Sequence, residues 1–349
     1  MTFPQGWISS ALDMASGSAE RVASLLLSPG SAISLSSLAS ALFVAALFLL
    51  IGRRRRRETP LRVLLRAMFP RRILFSRSTR VDIGFFLFNL FVYGAVFGWA
   101  ILGQAAISMF VLETLEPVIG QGPGPVLGAT GALVVGTLVL FLAAEFGYWL
   151  DHWLSHKVPI LWEFHKAHHS AEVLTPLTNF RIHPVDGLKF ANILAVIMGL
   201  TSAALTWGLG EPAKAFTVFD RNVLGLAGLY LIQHLQHTHL WLIAPGPLGR
   251  LIYSPAHHQI HHSANPDHFG KNLGSFLTVW DWLFGTLHTP AKTRELLVFG
   301  LRPEEASHHT LLSAMVEPVV RAAKMLRPTA LRPLTQRAVG GPRIGGRPS

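Results

Sequence analysis

Residues 126–150 read VLGATGALVVGTLVLFLAAEFGYWL, with Glu145 as the single charged side chain. A run of that length crosses a hydrocarbon layer of roughly 30 Å as a helix. Residues 33–51, ISLSSLASALFVAALFLLI, form a second such stretch without any charge. Further apolar runs cover about 83–110, which is rich in Phe, 190–209 and about 222–240. Only 14% of the 349 residues are charged, against about a quarter in soluble domains. The expected fold is therefore an all-α integral membrane bundle of about 3–5 membrane segments.

Charge placement sets the expected topology. Arg53 to Arg57 follow the first run at once, and from there to Arg80 the only acidic residue is Glu58, so the positive-inside rule puts this segment on the cytoplasmic side. The loop after the second run carries Glu113 and Glu116 with no Lys or Arg, then the turn GQGPGP, and is expected outside. The run 126–150 brings the chain back to the cytoplasmic surface at Asp151 and His152. Residues 190–209 and 222–240, joined by a piece holding Glu211, Lys214, Asp220 and Arg221, read as a hairpin that returns His234 to the same side. Three regions are expected: 1–80 with the first span and its Arg-rich stretch, 81–300 as the catalytic membrane domain, and 301–349 as a basic cytoplasmic tail. The first 30 residues resemble no cleavable signal peptide, because the basic cluster follows the apolar run. A multi-pass protein of a bacterial inner membrane, rather than the endoplasmic reticulum, is expected. The formal charge of +11 is grouped beside apolar runs, unlike a nucleic-acid surface with interleaved aromatics.

All 17 histidines lie at or after His152. His152 and His156 are i, i+4 neighbours in HWLSH; His165, His168 and His169 are i, i+3, i+4 in HKAHH; His258, His261 and His262 repeat that spacing in HHQIHH. On a helix these positions share a face, which is the geometry of a metal grip. Neutral imidazole suits iron, zinc or copper. Cysteine is absent, which excludes iron–sulfur clusters and thiolate zinc. HWLSH lacks the glutamate of a zinc protease motif, and one zinc takes only three or four ligands. Eight histidines in three boxes point to two ions in a cap at the membrane surface. A non-catalytic membrane protein that binds or transports metal is the alternative, though transport sites belong near the bilayer midplane.

HWLSH, HKAHH and HHQIHH, with NFRIHPVD between and WDWLFGTLHTP after, resemble the fatty acid hydroxylase and sterol desaturase superfamily of membrane di-iron oxygenases over about residues 130–290. The resemblance implies a cytosolic-face centre of two Fe²⁺ ions, O₂ as co-substrate, two external electrons per turnover, and a lipid C–H bond that is hydroxylated or desaturated. Carried onto this sequence, the ligands and catalytic residues are His152, His156, His165, His168, His169, His258, His261 and His262. One or two further ligands come from QHLQHTH, where i, i+3 spacing selects His234 and His237, with His239 as runner-up. His183 of RIHP also matches a position of the superfamily, but Pro184 beside it suggests a role at a helix end. Where the superfamily often has Arg after the first histidine, this chain has Trp153.

Asp151, Glu163, Asp186 and Asp267 are candidate acceptors for the second ring N–H of a ligand. Glu145, inside an apolar run, is functional or paired. The chain holds no flavin or nicotinamide fingerprint, so electrons are expected from a ferredoxin- or cytochrome-type partner. The segment VLTPLTNF between boxes is mostly apolar. Acyl chains of a membrane lipid rank first as substrate, a sterol or other isoprenoid second and a carotenoid third.

Overall fold

The computed structural model describes residues 20, 22–55, 60–244, 246–302, 305 and 310–326. Arg56, Arg57, most of the N-terminal 30 residues and the basic tail beyond 326 lie outside the described residues. The protein is a helical bundle, and among the described residues its sheet is one antiparallel pair, Thr217–Val218 with Arg221–Asn222. The elements that matter for the site are α1 (Leu35–Arg55), α2 (Arg77–Phe88), α3 (Gln104–Ile119), α4 (Ala129–Lys157), α5 (Pro159–His169), α6 (Pro184–Leu209), α7 (Val223–Leu231), α8 (Pro255–His261) and α9 (Leu311–Leu326).

Among the described residues, three helical paths are long and apolar enough to cross a membrane: Arg77–Ile119, Ala129–Lys157 and Pro184–Leu209. Most of their apolar side chains are not buried within the protein, an exposure that suits lipid rather than water. Leu35–Ile51 and Val223–Leu235 are shorter apolar helices. The path expected over 83–110 is longer and is not one helix. After α2 it passes through a π-helical turn at Asn89–Tyr93, the short helix Gly94–Phe97 and a 3₁₀ turn at Gly98–Ala100, then breaks before α3. Backbone groups freed by a break inside an apolar layer need internal partners. Asn192 of α6 supplies them: its Oδ1 accepts from Leu102 N at 2.8 Å and its Nδ2 donates to the Ala100 carbonyl at 3.2 Å.

Helix α6 packs between α3 and α4 through small residues. A Cβ on Gly199 would stand 2.7 Å from Ile107 of α3, and one on Gly147 of α4 would stand 3.1 Å from Leu194. Such positions let membrane helices approach closely. With 29 residues, α4 is about 44 Å long, more than the ~30 Å of the hydrocarbon layer. Its last turns therefore project beyond the apolar part of the bundle. They carry Asp151, His152 and His156.

Val158 breaks the chain out of α4, and Pro159 starts α5 at the first helical position, where its missing N–H costs nothing. Glu145 is paired rather than catalytic. Its Oε2 accepts from the backbone N–H of Phe276 at 2.9 Å and of Leu277 at 2.8 Å, tying α4 to the loop before the short helix Val279–Leu283. Trp153 stacks on Trp149, which in turn stacks on Phe284 at 4.3 Å. Through Trp149 the α4 aromatics thus meet the C-terminal end of the short helix Val279–Leu283.

Candidate metal centre

Helices α4, α5 and α8 and the turn after α7 bring nine histidines together in two groups. His152, His156, His165, His169 and His261 form one; His168, His237, His258 and His262 form the other. Within each group one ring nitrogen per residue lies within 4.8 Å of all the rest. Eight of the nine side chains are buried and His156 is half-buried. The spacing in the sequence explains the division. In α5 the i, i+4 pair His165 and His169 faces the first group, while His168 turns to the second. In α8 the pair His258 and His262 faces the second group, while His261 turns to the first. Each triplet straddles both groups, so α5 and α8 hold them side by side.

Hydrogen bonds on the far side of five of the nine rings fix which nitrogen carries the proton. His152 Nδ1–H donates to the Leu273 carbonyl at 2.9 Å, His165 Nδ1–H to Asp186 Oδ2 at 2.9 Å and His261 Nδ1–H to the Lys271 carbonyl at 2.9 Å. In the second group His168 Nδ1–H donates to the Arg181 carbonyl at 3.3 Å. The Tyr253 hydroxyl gives its proton to the Asn272 carbonyl at 2.6 Å, so it accepts from His258 Nδ1–H at 3.2 Å. In all five rings Nε2 is left as a bare lone pair aimed into its group.

Those lone pairs crowd one another. The Nε2 atoms of His169 and His261 are 3.1 Å apart, and His237 Nε2 lies 2.8 Å from that of His258 and 3.1 Å from those of His168 and His262. The Nε2 atoms of His152, His156 and His165 are buried without a hydrogen-bond partner. Converging unprotonated nitrogens repel, and a cation between them reverses the sign of that interaction. Protonation is not the remedy. Burial pushes His237 and His261 down to about 3 and holds His168, His169, His258 and His262 well below the ordinary imidazole range. Nε2 atoms converging in groups of five and four, with the tautomer preset in five of the nine rings, fit two metal ions.

The remaining expected residues lie elsewhere. His234 is not brought into either group: its Nε2 meets Ser37 Oγ of α1 at 3.1 Å. The i, i+3 spacing with His237 does not hold because α7 ends at Leu231 and a single 3₁₀ turn, Gln233–Leu235, follows. His239 Nε2 donates to the Ala67 carbonyl. His183 caps the start of α6: Nδ1 accepts from Val185 N, and Nε2–H donates to the Met315 carbonyl of α9 at 2.9 Å. Of the four acids, Asp186 alone meets a ligand ring among the described residues. Lys189 stands 3.0 Å from both Asp186 Oδ1 and Asp151 Oδ1. Glu163 pairs with Lys166, and Asp267 is exposed.

Arg181, which lies inside the NFRIHPVD segment, was not assigned a role by its spacing. It is fully buried, its Nη1 is 3.0 Å from Asp82 Oδ1 of α2, and its Nε and Nη2 donate to the Ala167 carbonyl and Ser170 Oγ at the end of α5. Tyr253 and the carbonyls of Leu273, Lys271 and Arg181 also went unforeseen. A carbonyl acceptor has no signature in a sequence. Tyr253 fills a role that the acid candidates were expected to share. A Tyr253→Phe chain keeps the ring packing but leaves His258 Nδ1–H without its acceptor, and should release metal about 10- to 100-fold more readily to a chelator. An unchanged release curve would remove Tyr253 from this role.

A cavity of about 280 Å³ opens beside the two groups. His156, His169 and His261 of the first group and His262 of the second line it, with Trp162 and Phe269 as apolar wall. The cavity thus borders both groups.

Residues 137–286 match the family model described as fatty acid hydroxylase. Among curated proteins, a human alkylglycerol monooxygenase is 30% identical over 161 residues, 46% of this chain and 32% of its own length. An ornithine lipid hydroxylase of Rhizobium tropici is 32% identical over 149 residues, 43% of this chain and 40% of its own. A very-long-chain aldehyde decarbonylase of Oryza sativa subsp. indica is 30% identical over 170 residues, 47% of this chain and 25% of its own. The matched segment thus spans well under half the length of each relative. No solved structure matches the chain significantly.

Proposed function

From the match of residues 137–286 to the fatty acid hydroxylase family model, we propose that this chain is a lipid-modifying membrane oxygenase that hydroxylates an alkyl chain of a membrane lipid, with two iron ions held by the nine clustered histidines. The observation that carries the reading is the pair of adjacent histidine groups, five of whose rings are held in the ligating tautomer, beside one cavity. When bound, the iron pair supplies what amino-acid side chains cannot, the activation of O₂ toward an unactivated C–H bond. The chain's own residues hold and orient. Asp186, Tyr253 and three backbone carbonyls keep five imidazoles in the ligating tautomer, and Trp162 and Phe269 give the cavity an apolar wall against which an alkyl chain can lie. The names of two relatives, a monooxygenase and a hydroxylase acting on lipids, favour oxygen insertion over desaturation.

In this reading the protein is a multi-pass protein of a bacterial inner membrane, with the catalytic region at 81–300 and the histidines on the cytoplasmic side. Two electrons per turnover come from a ferredoxin- or cytochrome-type donor that docks on the basic cytoplasmic face. The metal-handling alternative lacks support from position, because the groups lie at and beyond the last turns of α4 and not at mid-span. Purified, iron-loaded protein with a chemical reductant should consume O₂ only when lipid is added. Metal retention without lipid-dependent uptake would turn the assignment toward metal handling. A topology reporter after Arg57 or at Ser349 should read cytoplasmic and one near Gly122 external. The reverse at Gly122 would contradict the cytoplasmic placement.

A further inference from the structure

Beyond the nine histidines, the segment that follows α8 folds a third group of metal-ligating side chains together. His268 ends the 3₁₀ turn Pro266–His268, His288 follows the turn at Gly285, and Glu295 lies in the stretch beyond. One potential ligand atom from each lies within 4.8 Å of the other two. We propose that His268, His288 and Glu295 bind a third metal ion, with zinc as the best-fitting cation, at a site separate from the two histidine groups.

The surroundings of the three side chains favour an ion over a hydrogen-bonded cluster. His268 is only 7% exposed, and its Nδ1 is buried with no hydrogen-bond partner. Its ring stands 5.1 Å from that of His288 at 66°, edge toward face. Burial and the neighbouring His268 both push the His288 imidazole below its ordinary range, with Glu295 opposing them. The His288 ring therefore inclines to the neutral, ligating form. Glu295 Oε1 accepts from Ala291 N at 3.3 Å, and the carboxylate is not ion-paired to either imidazole. Lys271, the nearest cation, directs its Nζ to the Gly285 carbonyl at 3.2 Å. Two imidazoles and a carboxylate make a complete protein ligand set for zinc, with water in the fourth position, at bonds of about 2.0–2.2 Å. His288 and Glu295 are half-buried, so their side chains have room to close onto the ion.

What such an ion would hold is visible in the hydrogen bonds of Asn272. Its Nδ2 donates to the carbonyls of His257 and His288 at 3.1 and 2.9 Å, and its Oδ1 accepts from His288 N at 2.7 Å. The residues on either side, Lys271 and Leu273, supply the carbonyls that orient His261 and His152. Zinc joining His268, His288 and Glu295 would clip together the ends of the loop that positions two ligands of the first histidine group. Its part is structural, and it does not depend on the reaction proposed above.

Total metal per chain tests this. Full-length protein in detergent, equilibrated with iron and zinc and freed of loosely bound ions, should hold three metal ions by elemental mass spectrometry. Glu295→Gln and His288→Asn should each hold two. In parallel, zinc should slow modification of His288 by diethylpyrocarbonate in the wild-type chain at least 10-fold, a readout that needs no variant to fold. A wild-type count of two, equal counts in wild type and variants, or a His288 modification rate indifferent to zinc would overturn the site. Loss of lipid-dependent O₂ uptake with the third ion still counted would fault the proposed function alone.

Discussion

A His168→Ala or His261→Ala chain is expected to lose metal from its own histidine group and to oxidise lipid more slowly by on the order of 10³-fold or more, beyond the ~10- to 100-fold typical of losing a partner that only orients a ligand. The two positions probe different groups. His168 belongs to the group of four histidines and His261 to the group of five, and each has its Nδ1 engaged and its Nε2 directed at its neighbours. Alanine removes a ligand that nothing nearby replaces. His234→Ala is the matched control, since that ring meets Ser37 and not the clusters, and it should keep its full metal content. A full metal complement in either cluster variant would contradict the ligand assignment.

The largest expected loss of stability lies in the buried pair that fastens α5 to α2. Asp82 and Arg181 are 0% and 1% exposed and 3.0 Å apart. Asp82 also accepts from Thr178 Oγ1 at 2.8 Å. Asp82→Ala leaves the Arg181 guanidinium buried without its carboxylate, a change that typically costs about 3–5 kcal/mol. Because Arg181 also donates to Ala167 and Ser170, that loss falls on the end of α5 where His168 and His169 sit. Denaturation followed in detergent should show it. The double variant Asp82→Ala with Arg181→Met should be less damaged than Asp82→Ala alone, because no charge is then stranded. Equal damage in both would mean that the pair acts through packing and not charge.

Much of the bundle could be read from residue order alone. The run ending in EFGYWL is apolar over a membrane's thickness and forms α4; 190–209 lies wholly within α6. The path near 83–110 was harder, because its break depends on Asn192, about ninety positions away, satisfying backbone groups that a hydropathy pattern does not see. In the site, local spacing correctly marked residues that share a helix. It did not show that each triplet divides between two groups, since that division is set by the neighbouring helices. His234 shows the limit of the same rule: i, i+3 positions share a face only where the helix continues, and here it stops at Leu231. Pro184 did signal a helix boundary beside His183, at the start of α6. Asp186 was legible because a carboxylate is a side chain. The Leu273 and Lys271 carbonyls were not, because every residue has one.

Mass spectrometry of total lipids from cells carrying the intact chain, compared with cells carrying the His168→Ala chain, tests lipid hydroxylation most directly. The account predicts lipid species with one added oxygen atom in the first sample and their absence from the second. A deficit of two hydrogens in place of the added oxygen would point to desaturation. Identical lipid profiles, with iron and reductant supplied and the wild-type protein holding its metal, would contradict the account.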